Sequence, residues 1–179
     1  PDDPILEELG EPVPEGDAID AEAVTRIPPA ERLGAAVRHR RSMLSLDKCY
    51  TDEDLLAWAQ KFEGEVMVMP KMDGIACSLR YDRSGKLVVA ATRGSGQQGE
   101  DITVNVLDVP EVPAKVDFGG RELVDDELEI RGELYMRLSV FQKTYAGEYS
   151  NPRNLTAGAV KHKERSNTKR HDLSFFAYD

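Results

Sequence analysis

The feature that most constrains this fold is a pair of strand-forming stretches separated by a short turn. Ile75 to Tyr81 and Lys86 to Thr92 are apolar-rich, and Asp82-Arg83-Ser84-Gly85 between them is turn chemistry. Strands joined so closely pair antiparallel, so the chain contains a sheet nucleated by a hairpin. Setting Tyr81 opposite Lys86 predicts Leu79 opposite Val88, Cys77 opposite Ala90 and Ile75 opposite Thr92. Continuing that register puts Asp73 and Gly74 opposite Arg93 and Gly94, within about a residue of slip.

The register matters because of what precedes the hairpin. Val66-Met67-Val68-Met69 runs into Pro70-Lys71-Met72-Asp73-Gly74, and the run predicts a strand with Lys71 and Asp73 on one side. Charges seldom follow an apolar run directly unless something pairs with them or uses them. A protonated lysine is a poor nucleophile, and burial or nearby positive charge frees its amine. The expected register brings Arg93 beside this pair, placed to hold Asp73 or a phosphate and to lower the lysine's pKa.

A second strand is legible at Leu128 to Met136. Leu128, Ile130, Leu134 and Met136 alternate with Glu129, Arg131, Glu133 and Tyr135. Gly132 within it marks a close approach of ligand or backbone. Glu133 then has two readings, a ribose or metal contact, or one half of a solvated Arg131–Glu133 face.

Around these strands the chain divides by composition. Residues 1–36 form an acidic, proline-rich lead-in or linker with a short helical turn. The basic cluster Arg38-His39-Arg40-Arg41 follows, with a solvated loop as the plain alternative to a binding role. Thr51-Asp52-Glu53-Asp54 opens a helix with a capping box, and Leu55, Trp58, Ala59 and Phe62 form its expected core face. Gly94 to Thr103 is a glycine-rich loop lacking both the P-loop ending and the dinucleotide fingerprint. A short helix is expected over Asp101 to Val106, an acidic connection over Asp108 to Asp126, and another helix near Ser139 to Tyr145. Tyr149 to Arg170 is the one strongly cationic region, and its small residues Ala157, Gly158 and Ala159 suit a phosphate-facing surface.

The 179 residues carry a formal net charge of −10, which argues against a generic nucleic-acid coat without excluding a local basic site. Cys49 and Cys77 have no metal-ligand spacing and read as free cytosolic thiols in the core. No apolar run reaches membrane-spanning length. The chain starts at Pro1 and stops after a strand-like run, which reads as a piece of a longer protein.

Taken together, these segments resemble the adenylation (nucleotidyltransferase) domain of bacterial NAD-dependent DNA ligases. The matching stretches run in order: Met43-Leu44-Ser45-Leu46-Asp47, Lys71-Met72-Asp73-Gly74, Ala91-Thr92-Arg93-Gly94 through Gly99-Glu100-Asp101-Ile102-Thr103, Glu129-Ile130-Arg131-Gly132-Glu133, Asn151-Pro152-Arg153-Asn154 and Leu173-Ser174-Phe175-Phe176-Ala177-Tyr178. The lysine motif alone is shared with ATP-dependent ligases and capping enzymes. The arginine-glycine loop and the Asn-Pro-Arg-Asn stretch are far more specific to the NAD-using branch.

The resemblance implies an α+β class, a nucleotidyltransferase (ATP-grasp-like) fold of twisted antiparallel sheets flanked by helices, with residues 37–179 as the N-terminal part of the domain. It implies that Lys71 attacks the adenylyl phosphorus of NAD and carries AMP. Ser45, Leu46, Asp73, Arg93 and Glu133 would bind the nucleotide, and Arg153 and Lys161 would face nicked double-stranded DNA. Mg²⁺ would offset phosphate charge, with no dedicated protein metal site. It further implies a cytoplasmic monomer acting in replication and repair, with no membrane partner. Such a piece is expected not to seal nicks alone. Met69 stands where the family usually has a glutamate that helps recognise adenine, Ser95 where aspartate is common, and Lys161 where arginine is usual. Those departures motivate the alternative of a lapsed paralogue that binds nicks without forming the AMP adduct.

Overall fold

In the computed structural model the described residues are 18–19, 23–120, 127–163 and 165–179. They form a mixed helix-and-sheet structure of the α+β kind. Two 3₁₀ turns, Ala23–Arg26 and Pro29–Glu31, lead into β1 (Ala36–Arg38). There follow α1 (Asp52–Ala59), β2 (Ile75–Asp82), β3 (Leu87–Thr92), β4 (Gln98–Glu100) and α2 (Thr103–Val106). Then come β5 (Glu127–Met136), α3 (Leu138–Thr144), α4 (Pro152–Lys161), α5 (Arg165–Arg170) and β6 (Leu173–Ala177).

The main sheet runs β3-β2-β5-β6, every neighbouring pair antiparallel, and β1 pairs with β4 in a small second sheet. The hairpin β2–β3 exists, but its register differs from the expected one. Asp82 Oδ1 accepts from Ser84 N, Ser84 Oγ and Lys86 N, which closes a three-residue turn with Asp82 opposite Lys86. Tyr81 therefore meets Leu87, and a bulge between Arg80 and Tyr81 adds one more step. Leu79 pairs with Ala90 and Cys77 with Thr92, so the Arg93 N–H donates to Ala76 O at 2.9 Å. Arg93 thus lies opposite Ala76, and not opposite Asp73.

The alternation read in β5 holds. Pairing of β2 with β5 puts Cys77, Leu79, Ile130 and Leu134 on one face and Ala76, Ser78, Arg80, Glu129, Arg131 and Glu133 on the other. The first face carries the main core, where Cys77, Leu79, Tyr81, Leu134 and Met136 meet Ile102, which precedes α2, Val106 of α2, and Leu155, Ala159 and Val160 of α4. A smaller core joins Val24 and Val37 to Val89 and Ala91. Residues 23–38 therefore pack onto the sheet, with Arg32 buried among them.

The first helix departs from expectation in its packing. Its capping box is present, with the Asp54 N–H donating to Thr51 Oγ1 at 3.1 Å. Yet α1 buries no residue, and Trp58 is half-buried, its ring tilted against that of Phe62 with ring centroids 4.9 Å apart. The run Val66 to Met69 forms no strand, and Val68 is 93% exposed. Apolar character predicted burial for both, yet Leu55, Leu56, Phe62, Val66, Met67 and Val68 all lie more than half exposed. Cys49 is likewise exposed, whereas Cys77 is buried as expected. Among the described residues no helix is long and apolar enough to cross a membrane.

Candidate nucleotide site

The site is built where the chain enters β2 alongside β5. Gly74 runs so close to β5 that a Cβ there would lie 2.0 Å from Leu134 O. Only glycine allows that approach, and it leaves the Gly74 N–H to donate to Glu133 Oε1 at 3.2 Å. This contact seats Lys71 and Asp73, both exposed, over the polar face of the sheet next to Glu133. Arg153 reaches in from the first turn of α4, with Nη1 3.4 Å from Asp73 Oδ1.

Electrostatics identify the same group of side chains. Burial pushes the Glu133 carboxyl above the usual carboxylate range. The Gly74 N–H and the charges of Arg153 and Lys71 pull it back, while Asp73 pushes it up. Lys71, Asp73, Glu133 and Arg153 therefore share one electrostatic neighbourhood, although their segments lie far apart in sequence. The Arg153–Asp73 pair is long and open to water, so it contributes little stability and both groups remain open to a ligand. Arg153 also sits at the N-terminus of α4, where the helix dipole disfavours a cation. Helix stability does not account for an arginine there.

Arg93 joins this site by a different route from the one its expected register gave. Glu133, Ala76 and Arg93 occupy one row across three neighbouring strands, taking β3 one residue past its end. Strands lie about 4.8 Å apart, so the flanking residues are separated by roughly 10 Å across the small Ala76. That leaves a niche between a carboxylate and a guanidinium. Arg93 Nε is buried and has no hydrogen-bond partner among the described residues. A buried guanidinium N–H without an acceptor suits a ligand oxygen.

Gly132 marks a close backbone approach, one of the two readings its place in the strand allowed. A Cβ there would lie 2.3 Å from Phe175 Cζ and 2.5 Å from Phe176 O, so the glycine makes room for β6 and its ring. Ser45 and Leu46 lie in an exposed stretch, Leu46 at 72% exposure, and among the described residues no hydrogen bond ties them to the Lys71 group. Lys161 is paired at the surface. Its Nζ is 2.5 Å from Glu100 Oε2, and the Asn105 side-chain amide donates to Val160 O and His162 O on either side of it.

Two residues near the site carried no role in the sequence reading. Tyr178 ends the β6 run and donates its N–H to Arg131 O at 2.9 Å. Burial raises its phenol pKa, and the charge of Glu133 adds to the rise. The aromatic run before it was the available signal. Ala76 was invisible because its importance is its smallness at one register position.

With this geometry in view, the comparisons with known proteins are decisive. Residues 34–179 match the model of the NAD-dependent DNA ligase adenylation domain. The chain belongs to that family. It is 41% identical over 168 residues to a DNA ligase of Mesorhizobium japonicum, covering 84% of this chain and 22% of the relative. It is 39% identical over 181 residues to a DNA ligase of a Bradyrhizobium species, covering 88% and 25%. A DNA ligase of Syntrophus aciditrophicus is 35% identical over 177 residues, covering 87% and 26%. The chain thus spans about a quarter of the length of these curated relatives.

Proposed function

We propose that this chain carries the adenylating site of a DNA ligase (NAD⁺), built on a nucleotidyltransferase fold, with Lys71 as the nucleophile. The observation that carries the proposal is the convergence of Lys71, Asp73, Glu133 and Arg153 on the polar face of the sheet. Lysine suits this chemistry because its free amine forms a phosphoramide that preserves an activated phosphoryl bond. Lys71 Nζ forms a bond to the adenylyl phosphorus of NAD, the phosphoanhydride bond breaks, and nicotinamide mononucleotide leaves with the electron pair. The ammonium proton passes to water. AMP then moves to the 5′-phosphate of nicked DNA, and the 3′-hydroxyl displaces it.

The other residues bind and orient. Glu133 accepts from a ribose hydroxyl, and Arg93 offers its orphan N–H to a nucleotide oxygen. Asp73 supports Lys71 or contacts the ribose, and Arg153 faces the phosphates of the nick. Lys161 must exchange Glu100 for a phosphate if it is to touch DNA. Ser45 and Leu46 join the nucleotide site only if their exposed stretch moves over it.

Mg²⁺ would supply neutralisation of phosphate charge during transfer. Among the described residues no three His, Cys, Asp or Glu side chains gather to hold a metal. Asp73 and Glu133 nonetheless offer hard oxygen donors in one place. This fits an ion held by one or two carboxylates together with substrate phosphates, as magnesium is commonly held. We place the activity in the cytoplasm, in a monomer serving replication and repair.

The test is mass spectrometry of the protein after incubation with NAD and Mg²⁺. One added adenylyl group, absent in Lys71→Ala and not produced by ATP, is the expected result. A shift with ATP instead would mark an ATP-dependent ligase or capping enzyme. Nick binding with no adduct would mark a lapsed paralogue.

A further inference from the structure

The basic cluster at residues 38–41 contains a histidine whose position has a purpose of its own. His39 is partly buried behind the loop that follows β3. Its Nε2 lies 3.1 Å from Thr92 O and 3.2 Å from Arg93 O. Both neighbours are carbonyls, which only accept, so Nε2 carries the hydrogen and donates to them. The backbone around the ring fixes it further. His39 N–H donates to Gln97 O at 2.8 Å and Met43 N–H to Gly96 O at 2.7 Å. A Cβ on Gly99 would sit 3.2 Å from His39 Nε2, so the loop closes directly over the ring.

Arg93 is consequently held at both of its peptide groups. Its N–H bonds to Ala76 O on β2, and its C=O accepts from Gly96 N–H and faces the imidazole. The backbone leading into the guanidinium is fixed, while Arg93 Nε stays without a partner among the described residues. A side chain left open to a ligand on a backbone tied at every point is a preorganised binding group.

We infer that His39 is a positioning residue for Arg93, setting the guanidinium's approach to the nucleotide through the Thr92 and Arg93 carbonyls. This rests on the proposed reading in which Arg93 binds the nucleotide. His39 touches no substrate and takes no part in the chemical step. Losing it loosens Arg93 and weakens nucleotide binding, with little effect on attack by Lys71. Burial lowers the pKa of the ring, which keeps it the neutral donor around pH 7.

The experiment follows AMP-adduct formation against NAD concentration in the protein as its gene encodes it, for wild type, His39→Ala, His39→Gln, Arg93→Ala and His39→Ala/Arg93→Ala. His39→Ala should raise the half-saturating NAD concentration about tenfold while the maximal rate stays within about threefold. Gln places an amide nitrogen near the position of Nε2, so His39→Gln should return to within about threefold of wild type. In the Arg93→Ala background, removing His39 should add less than about twofold, because the group it positions is gone. Unchanged NAD dependence in His39→Ala overturns the inference, as does an equal effect in both backgrounds. Loss of near-ultraviolet circular dichroism in both His39 variants would make the residue structural only and overturn it too. A wild-type protein that forms no adduct, or an Arg93→Ala variant with unaltered NAD dependence, overturns the reading of the site itself and the inference with it.

Discussion

Arg32→Met is the most informative perturbation of the fold, because Arg32 joins three separate segments beneath the glycine-rich loop. Its side chain is 1% exposed, and that of its partner Asp101 is 0% exposed. Arg32 Nε donates to Asp101 Oδ2 at 2.6 Å, and Nη1 donates to Val24 O at 2.9 Å and to Ile27 O at 2.5 Å. Nη2 donates to Val88 O and, at 3.4 Å, to Thr103 Oγ1. Methionine fills similar volume and supplies no donor. It leaves Asp101 as a buried carboxylate with the Thr103 N–H as its remaining short bond, and three carbonyls lose an N–H. Breaking a buried ion pair by removing one partner costs about 3–5 kcal/mol. A domain of this size loses roughly 2–4 °C of Tm per kcal/mol, so a fall of about 6–20 °C is expected. Urea unfolding followed by far-ultraviolet circular dichroism gives the free energy directly. Adding Asp101→Asn removes the stranded charge and keeps an acceptor for Thr103, so the double variant should regain about half of the loss. A loss under about 1 kcal/mol for Arg32→Met would refute the reasoning, since that is the value of an exposed pair. A double variant less stable than Arg32→Met would refute it equally.

Three further outcomes follow from particular contacts. Glu133→Gln should raise Tm near pH 7 while abolishing tight nucleotide binding. The wild-type carboxyl has a folded pKa above its unfolded one, so the stability it contributes is complete below about pH 4 and is lost as pH rises through the folded value. The variant's advantage in scanning calorimetry should therefore shrink on acidification. Gly74→Ala puts a methyl 2.0 Å from Leu134 O and should cost at least about 2 kcal/mol and prevent adduct formation. Trp58 is the chain's one tryptophan and lies on a helix that buries no residue. Its fluorescence should change at lower urea than the circular dichroism of the sheet, and Thr51→Ala should move only that early transition.

What the sequence revealed and what it concealed divide along physical lines. Alternation in β5 was readable because a strand with one wet face must alternate, and its polar side carries Glu133. The hairpin was readable, but its register was not. One side-chain oxygen, Asp82 Oδ1, chooses the three-residue turn, and a bulge then moves Arg93 two positions. Apolar content at Val66 to Met69 and along α1 predicted burial, yet burial depends on what packs there. Gly74 carried no reading of its own beyond its place in the lysine stretch. The reason for a glycine there, an approach to Leu134 O, depends on a strand sixty residues away. Arg32 gave no signal because a buried arginine is rare enough that exposure is always the better expectation. Lys161 was expected to face DNA because the resemblance implies it, and the fold adds a pairing with Glu100 that the sequence did not show.

The central claim is that Lys71 is the residue that carries AMP. Peptide mapping of the protein after reaction with NAD and Mg²⁺ tests it most directly. The account predicts a single adenylyl group on the peptide containing Lys71, on that side chain, and none when ATP replaces NAD. An adduct on any other lysine, or an unmodified Lys71 in a protein that seals nicks, would contradict it.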